Sequence, residues 1–158
     1  MLSGNKDVDL KIMSNIDDRS LFSLCISDPK NEYLKKLCNN ETFWRNRLLN
    51  KFPEFKNSDE NWKQNYLALV YYSDKYTPNK AMEKLAEKGM KYKNLIDFFI
   101  EKGADYWNLG MYGAALGGHK ELVDFFIEKG ADDWNWGMRG ASLGGHKELV
   151  DFFQRKRC

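Results

Sequence analysis

His119 and His146 are the only histidines in the chain, and imidazole is the side chain best suited to proton transfer and to metal ligation near neutral pH. They stand 27 residues apart, each inside the phrase Gly-Gly-His-Lys-Glu-Leu-Val-Asp-Phe-Phe. A zinc site would need further Cys or His ligands at short spacing, and neither histidine has them. Recurrence at one place in a repeated phrase suits a structural task, in which the imidazole pins the start of a helix by a hydrogen bond. The carboxylate pairs Asp17-Asp18 and Asp132-Asp133 fall at turns, where solvated capping is the ordinary role and acid-base work would need a cleft. Gly110, Gly113 and Gly117 lack the Lys-Ser/Thr of a phosphate-binding loop. Trp107 and Trp134 sit in identical surroundings, which suits wedges between packed units better than ligand platforms. No catalytic residue, metal site or cofactor is expected, and the chain reads as a binding protein rather than an enzyme.

Composition narrows the partners. The net charge is only +2, from 25 basic and 23 acidic residues, and the sole basic cluster is Arg155-Lys156-Arg157. A phosphate backbone is held by a broad basic face, so nucleic acid is not an expected partner. Charges interrupt every apolar stretch of the first residues, so no signal peptide is expected. Nor is a membrane-spanning helix, since that requires about 18 consecutive apolar residues. Cys25, Cys38 and Cys158 form no Cys-x-x-Cys pair, and an odd number fits a disulfide framework poorly. Free thiols in a reducing, intracellular compartment are therefore expected.

The elements that would carry these residues announce themselves by repetition. Residues 103–126 match 130–153 at an offset of 27, with 20 of 24 positions identical, and LIDFFIEKGAD at 95–105 repeats LVDFFIEKGAD at 122–132. Such periodicity marks stacked units that bury their apolar faces on one another. In HKELVDFFIEKGAD, Leu122, Val123, Phe126 and Ile127 recur at helical spacing among charged residues, and Phe125 widens the apolar side. Gly130 suits a helix end, and Gly117-Gly118 mark the break after a short first helix, LGMYGAAL. The small Gly110, Gly113 and Ala114 permit close helix approach, with Met111, Ala114 and Leu116 as core candidates.

Four positions differ between the near-identical units: Tyr106/Asp133, Leu109/Trp136, Tyr112/Arg139 and Ala115/Ser142. They recur every third residue, as a slowly drifting stripe along a helix. Tyr106, Leu109, Tyr112, Asp133, Trp136 and Arg139 are the candidate target-binding residues, since Tyr, Trp and Arg dominate binding hot spots. Neutral drift on a solvated face would give the same pattern.

The phrase GHKELVDFFIEKGAD closely resembles the second helix of ankyrin repeats, and Ala114-Ala115 fall where that family's first helix has paired alanines. The resemblance covers about 95–153. The family's unit is about 33 residues and opens its first helix with Thr-Pro-Leu-His. Here Leu109-Gly110-Met111-Tyr112 stand at that place, and the missing residues fall where the family projects a β-hairpin finger. The resemblance implies a helix-turn-helix solenoid over 80–158, nearly fingerless, with a degenerate unit at about 80–102 followed by 103–129 and 130–156. At the last unit Gln154-Arg155-Lys156-Arg157 replace Ile127-Glu128-Lys129-Gly130; either they supply a polar cap or the open end pairs with something.

The first half reads as two short helices, one carrying Leu10, Ile12, Met13 and Ile16 and one Leu21, Phe22, Leu24 and Cys25, broken by Asp17-Asp18-Arg19-Ser20. EYLKKLC (32–38), ETFWRNRLLNKF (41–52) and, in the connecting stretch 56–79, a helix over 61–76 ended by Thr77-Pro78 follow. The order LKIMSNIDDRSLFSLC, then Leu37-Cys38, then Thr42-Phe43-Trp44-Arg45, resembles an F-box over 8–55. That family docks on the Skp-type adaptor of a cullin-based ubiquitin ligase, while a C-terminal repeat domain holds the protein to be modified. By resemblance the adaptor-binding residues are Leu10, Ile12, Met13, Ile16, Leu21 and Leu24, with Trp44 as closing anchor. The family's Leu-Pro opening would fall at Gly4-Asn5, where it is absent. An F-box beside short ankyrin-like units is similar to proteins of large DNA viruses of protists, and implies redirection of host ubiquitination. The expected fold is all-α, an F-box-like helical bundle followed by the solenoid. The rival reading is a stand-alone ankyrin-type binder or competitive inhibitor whose N-terminal bundle only caps the solenoid.

Overall fold

Asn5, Asp17, Asn31 and Asn40 each precede a helix and accept backbone N–H groups of its first turn, a cap worth about 1 kcal/mol apiece. They open α1 (Lys6–Ser14), α2 (Asp18–Ser27), α3 (Glu32–Cys38) and α4 (Glu41–Lys51). Next come α5 (Trp62–Lys75), α6 (Pro78–Lys88), a single 3-10 turn (Met90–Tyr92), α7 (Lys93–Glu101), α8 (Trp107–Leu116), α9 (Lys120–Glu128), α10 (Trp134–Gly144) and α11 (Lys147–Arg157). The structure, a computed structural model, describes residues 2–56 and 61–157. Every regular element among them is helical, so the chain is all-α as expected. It divides into two compact units between Leu67 and Ala68, inside α5 and within the stretch 56–79 read as a connector.

The first unit is built around Met13, Leu21, Leu37, Trp44, Leu48 and Tyr66, all essentially without exposure. The Trp44 indole N–H donates to the Cys38 carbonyl at 2.8 Å, so its one polar atom is satisfied inside the core. Its ring lies edge-on to Phe43 at 5.1 Å and 5.5 Å from Tyr66. Packing of α2 against α3 brings Cys25 and Cys38 to a Cα separation of 5.7 Å, and the two are joined in a disulfide. This corrects the expectation of free thiols. An odd cysteine count says nothing about which two share a contact region, and Cys158, also read as a free thiol, lies outside the described residues.

In the second unit the helices pair as α6/α7, α8/α9 and α10/α11, and α8 packs between α6 and α10. Small residues set the spacing. A Cβ on Gly113 would lie 2.3 Å from the Glu83 carbonyl oxygen, closer than any side chain tolerates. Gly110 and Gly137 leave room for the Phe126 and Phe153 rings. The turns after α7 and α9 run through Gly103 (φ 95°) and Gly130 (φ 110°), a conformation open to glycine without strain. The first pair is less degenerate than its sequence implies. Ala81-Met82 and Leu85-Ala86, all fully buried, occupy the places of Gly110-Met111 and Ala114-Ala115. The 3-10 turn lengthens the connection from α6 to α7, and this shifts the register away from 27 and hides α6 from a fixed-offset comparison.

Candidate protein-interaction surface

The first helices of successive pairs present the positions that vary between units. Tyr106, at the start of α8, is 49% exposed; Tyr112 and Leu109 are half-buried on the same helix. From α10, Trp136 is half-buried and Arg139 exposed. The Trp136 ring lies 6.0 Å from that of Tyr106 and 5.5 Å from that of Tyr112, tilted against both. Side chains 24 to 30 positions apart thereby form one aromatic cluster with Arg139 beside it in sequence. Two members of the stripe behave differently. Asp133 Oδ1 accepts the Trp136 amide at 3.0 Å and so caps α10. Ala115 is fully buried while its counterpart Ser142 is exposed and donates to the Met138 carbonyl at 2.8 Å. A step of three residues turns about 300° around a helix, so three steps carry a position to the opposite side. The stripe therefore leaves the surface at Ala115, which corrects the expectation that all four positions share one exposed face. At the place of Tyr112 and Arg139, α6 carries Glu83, whose buried carboxylate pairs with Lys80.

The repeated histidines join neighbouring pairs rather than cap their own helices. His119 Nε2 donates to the Glu87 carbonyl and His146 Nε2 to the Leu116 carbonyl, each at 3.1 Å. Each imidazole stands at the start of its second helix and ties that start to a carbonyl of the preceding pair; the His119 side chain makes no cap bond to its own helix. A second connection escaped the sequence reading. Asn79 Oδ1 accepts the amides of Asp105 and Tyr106, and Asn108 Oδ1 those of Asp132 and Asp133, all at 2.9 Å. Its sequence signal is the Trp-Asn step that both units share at 107–108 and 134–135. Trp107 and Trp134 are half-buried. Among the described residues no three His, Cys, Asp or Glu side chains converge as a metal site would require.

In the first unit the residues named by the F-box resemblance separate into two sets. Met13, Leu21 and Trp44 are in the core, where a side chain holds the module together and offers no surface. Leu10, Ile16 and Leu24 are half-buried, and Ile12 is 38% exposed on α1 beside Val8 at 48%. Two polar residues not anticipated from the sequence fix these helices. The Arg47 guanidinium donates to the carbonyls of Met13 and Ile16 at 3.2 and 2.6 Å, closing the end of α1, and pairs with Asp18 at 2.8 Å. Asp18 also accepts from the Tyr66 hydroxyl and from Lys51. Burial works against the charge of Asp18, but these three partners prevail and hold its carboxyl below the usual range. Burial and the bond to Asp18 push the Tyr66 phenol up to about 12. The open depression of about 410 Å³ lined by Asp17, Asp18, Arg47 and Lys51 is thus walled by charges that serve one another.

Asp9, fully buried, receives the Ser3 amide and hydroxyl at 2.6 and 2.8 Å, the Gly4 amide at 2.9 Å and the Tyr33 hydroxyl at 2.7 Å. Burial opposes its ionisation, yet the four donors outweigh it and hold the carboxyl at about 2. The bond to Asp9 lifts Tyr33 to about 12. The segment at Gly4-Asn5, where the F-box family has its Leu-Pro, is thereby folded back onto α1. Among the described residues no helix is long and apolar enough to cross a membrane.

In comparison with known proteins, no family model, no curated protein and no solved structure matches the chain.

Proposed function

We propose that the chain is a protein-interaction adaptor with no enzymatic activity, whose helix pairs form a nearly fingerless ankyrin-like solenoid that grips a protein target with Tyr106, Tyr112, Trp136 and Arg139. The observation that carries this reading is the aromatic cluster itself: three large rings, contributed by two neighbouring pairs, remain partly open to solvent where packing does not require them. Rings of this kind bring large contact area at small entropic cost and are the side chains on which binding energy concentrates. The N-terminal module, on the same reading, is F-box-like and presents Leu10, Ile12, Ile16 and Leu24 to a Skp-type adaptor, with Met13, Leu21 and Trp44 as its core. The target would then be delivered to a cullin-based ubiquitin ligase, in the cytoplasm of a host cell if the kinship with viral proteins holds. The Cys25–Cys38 disulfide would there be exposed to reduction by glutathione.

A stand-alone binder or competitive inhibitor is the second reading, favoured by one observation. Asp9 holds the Ser3 and Gly4 amides, so the segment expected to meet the adaptor is engaged within the module. Purified Skp-type adaptor separates the two. Micromolar binding that Ile12→Asp abolishes supports ligase recruitment, and no binding by the folded chain leaves the stand-alone reading. Neither N-terminal outcome touches the target surface, for which Tyr112→Ala with Trp136→Ala must abolish capture of every partner.

A further inference from the structure

The second helices of the pairs carry a feature separate from the aromatic cluster on the first helices. Lys120 Nζ lies 4.2 Å from the centre of the Phe152 ring, so the start of α9 meets the middle of α11. Beside this contact is a depression of about 450 Å³. Leu149, buried, and Phe152, half-buried, give it apolar walls, and Lys120, Lys147 and Arg155 give it cationic ones, against one carboxylate in the lining, that of Glu148.

Not all of this positive charge is neutralised. Lys120 is held by Asp124 one turn on, as Lys93 is by Asp97 one unit earlier. Lys147 breaks the pattern. Among the described residues neither Lys147 nor Arg155 makes an ion pair or a hydrogen bond, although Asp151 stands one turn beyond Lys147. The repeat supplies a comparison within the chain. His119, Lys120, Glu121, Leu122 and Phe125 stand 27 residues before His146, Lys147, Glu148, Leu149 and Phe152, but Glu128 stands 27 before Arg155. One helix surface thus occurs twice with the same residues around a single reversal, from acid on α9 to base on α11. Lys147 and Arg155 are about 12 Å apart along the axis of α11, a gap that two long side chains can close on one anion.

We propose that this depression binds a phosphate monoester whose organic part is apolar, an aryl phosphate being the simplest. Two unpaired cations match the nearly double charge of such a phosphate at neutral pH, and the Arg155 guanidinium can meet two of its oxygens through parallel N–H groups. The volume falls within the range of small-molecule sites and exceeds what inorganic phosphate fills, while Leu149 and Phe152 supply contact for the apolar part. The same group is presented by a free aryl phosphate and by a phosphotyrosine side chain of a protein.

The probe is phenyl phosphate, titrated calorimetrically into the full chain. It is expected to bind one to one with a dissociation constant of about 1 mM or below. Arg155→Glu, which puts on α11 the acid that α9 carries at 128, and Lys147→Gln should each weaken binding at least about tenfold, with helicity by circular dichroism unchanged. Lys147→Gln decides the matter if Arg155→Glu disturbs α11. Arg157→Glu makes the same charge change outside the depression and should have little effect. A phosphotyrosine peptide separates the two sources: tighter binding than phenyl phosphate assigns the group to a protein, and equal or weaker binding assigns it to a free compound. The proposal is overturned by the absence of saturable binding, by binding indifferent to both Arg155→Glu and Lys147→Gln, by an equal loss with Arg157→Glu, or by benzoate, of single charge, binding as tightly.

Discussion

The Asn108 side chain accepts the Asp133 amide at 2.9 Å, and with it the amide of Asp132, so one carboxamide anchors the loop that launches the next helix pair. Asn79 does the same one pair earlier. These residues account for how a loop of a few residues, with no hairpin, keeps successive pairs in register. Replacing Asn108 with Ala removes both bonds and should lower the stability of the second unit by roughly 1–2 kcal/mol in urea unfolding. A loss no larger than for Ser142→Ala, on the exposed side of α10, would remove this role.

Gly113 should be intolerant of even one methyl group. The obstacle to its Cβ is the Glu83 carbonyl oxygen at 2.3 Å, which is backbone and cannot swing aside. Gly113→Ala is expected to destabilise the second unit by roughly 2–4 kcal/mol despite alanine's better helix propensity, because α6 and α8 must separate. Thermal unfolding reads this directly, and a stabilised Gly113→Ala would mean that the helices lie further apart than described.

Acid should act on the first unit through Asp9 and Asp18. A carboxyl whose folded value is depressed adds stability above its ordinary value of 3.8, and that stability drains as pH falls; for Asp9 the loss runs from 3.8 down to about 2. Asp9→Asn and Asp18→Asn should therefore be less stable than the parent at pH 7 and should approach it toward pH 2. Tyr33, raised to about 12, works in the other sense: its contribution is intact below 10 and is lost as pH rises through 12. Parallel unfolding curves at every pH would contradict both assignments.

The Cys25–Cys38 bond closes a loop of sequence separation 13, and cross-linking a loop of that size is worth about 3 kcal/mol. Reduction, or Cys25→Ser, should lower the stability of the first unit by about that amount and leave the second unaltered. Alkylation of protein drawn directly from cytosol should label both thiols if the adaptor acts there; their protection would move its place of action to an oxidising compartment.

Much of this architecture was legible in the chain because period and polarity carry it. The recurrence at 27 residues located α8 to α11, and the Asp17-Asp18 pair marked a cap ahead of α2. The register of α6 was hidden by the 3-10 turn at Met90–Tyr92, whose added residues break a fixed offset. The aromatic cluster was half legible: variation among fixed neighbours singled out Tyr106, Tyr112 and Trp136, but only the stacking of α10 on α8 brings them within 6.0 Å. Bonds made at long range left no local trace, which is why Arg47, Tyr66 and the Cys25–Cys38 pair were not foreseen.

The target-binding role of the aromatic surface is tested most directly by a photo-crosslinking amino acid placed singly at Arg139, beside the cluster, and at Glu121, exposed on the second helix of its pair. On irradiation in cells, position 139 should yield discrete adducts that disappear when Trp136→Ala is added, and position 121 should not. Adducts of equal intensity from both positions, or adducts from 139 that persist without Trp136, would contradict the account.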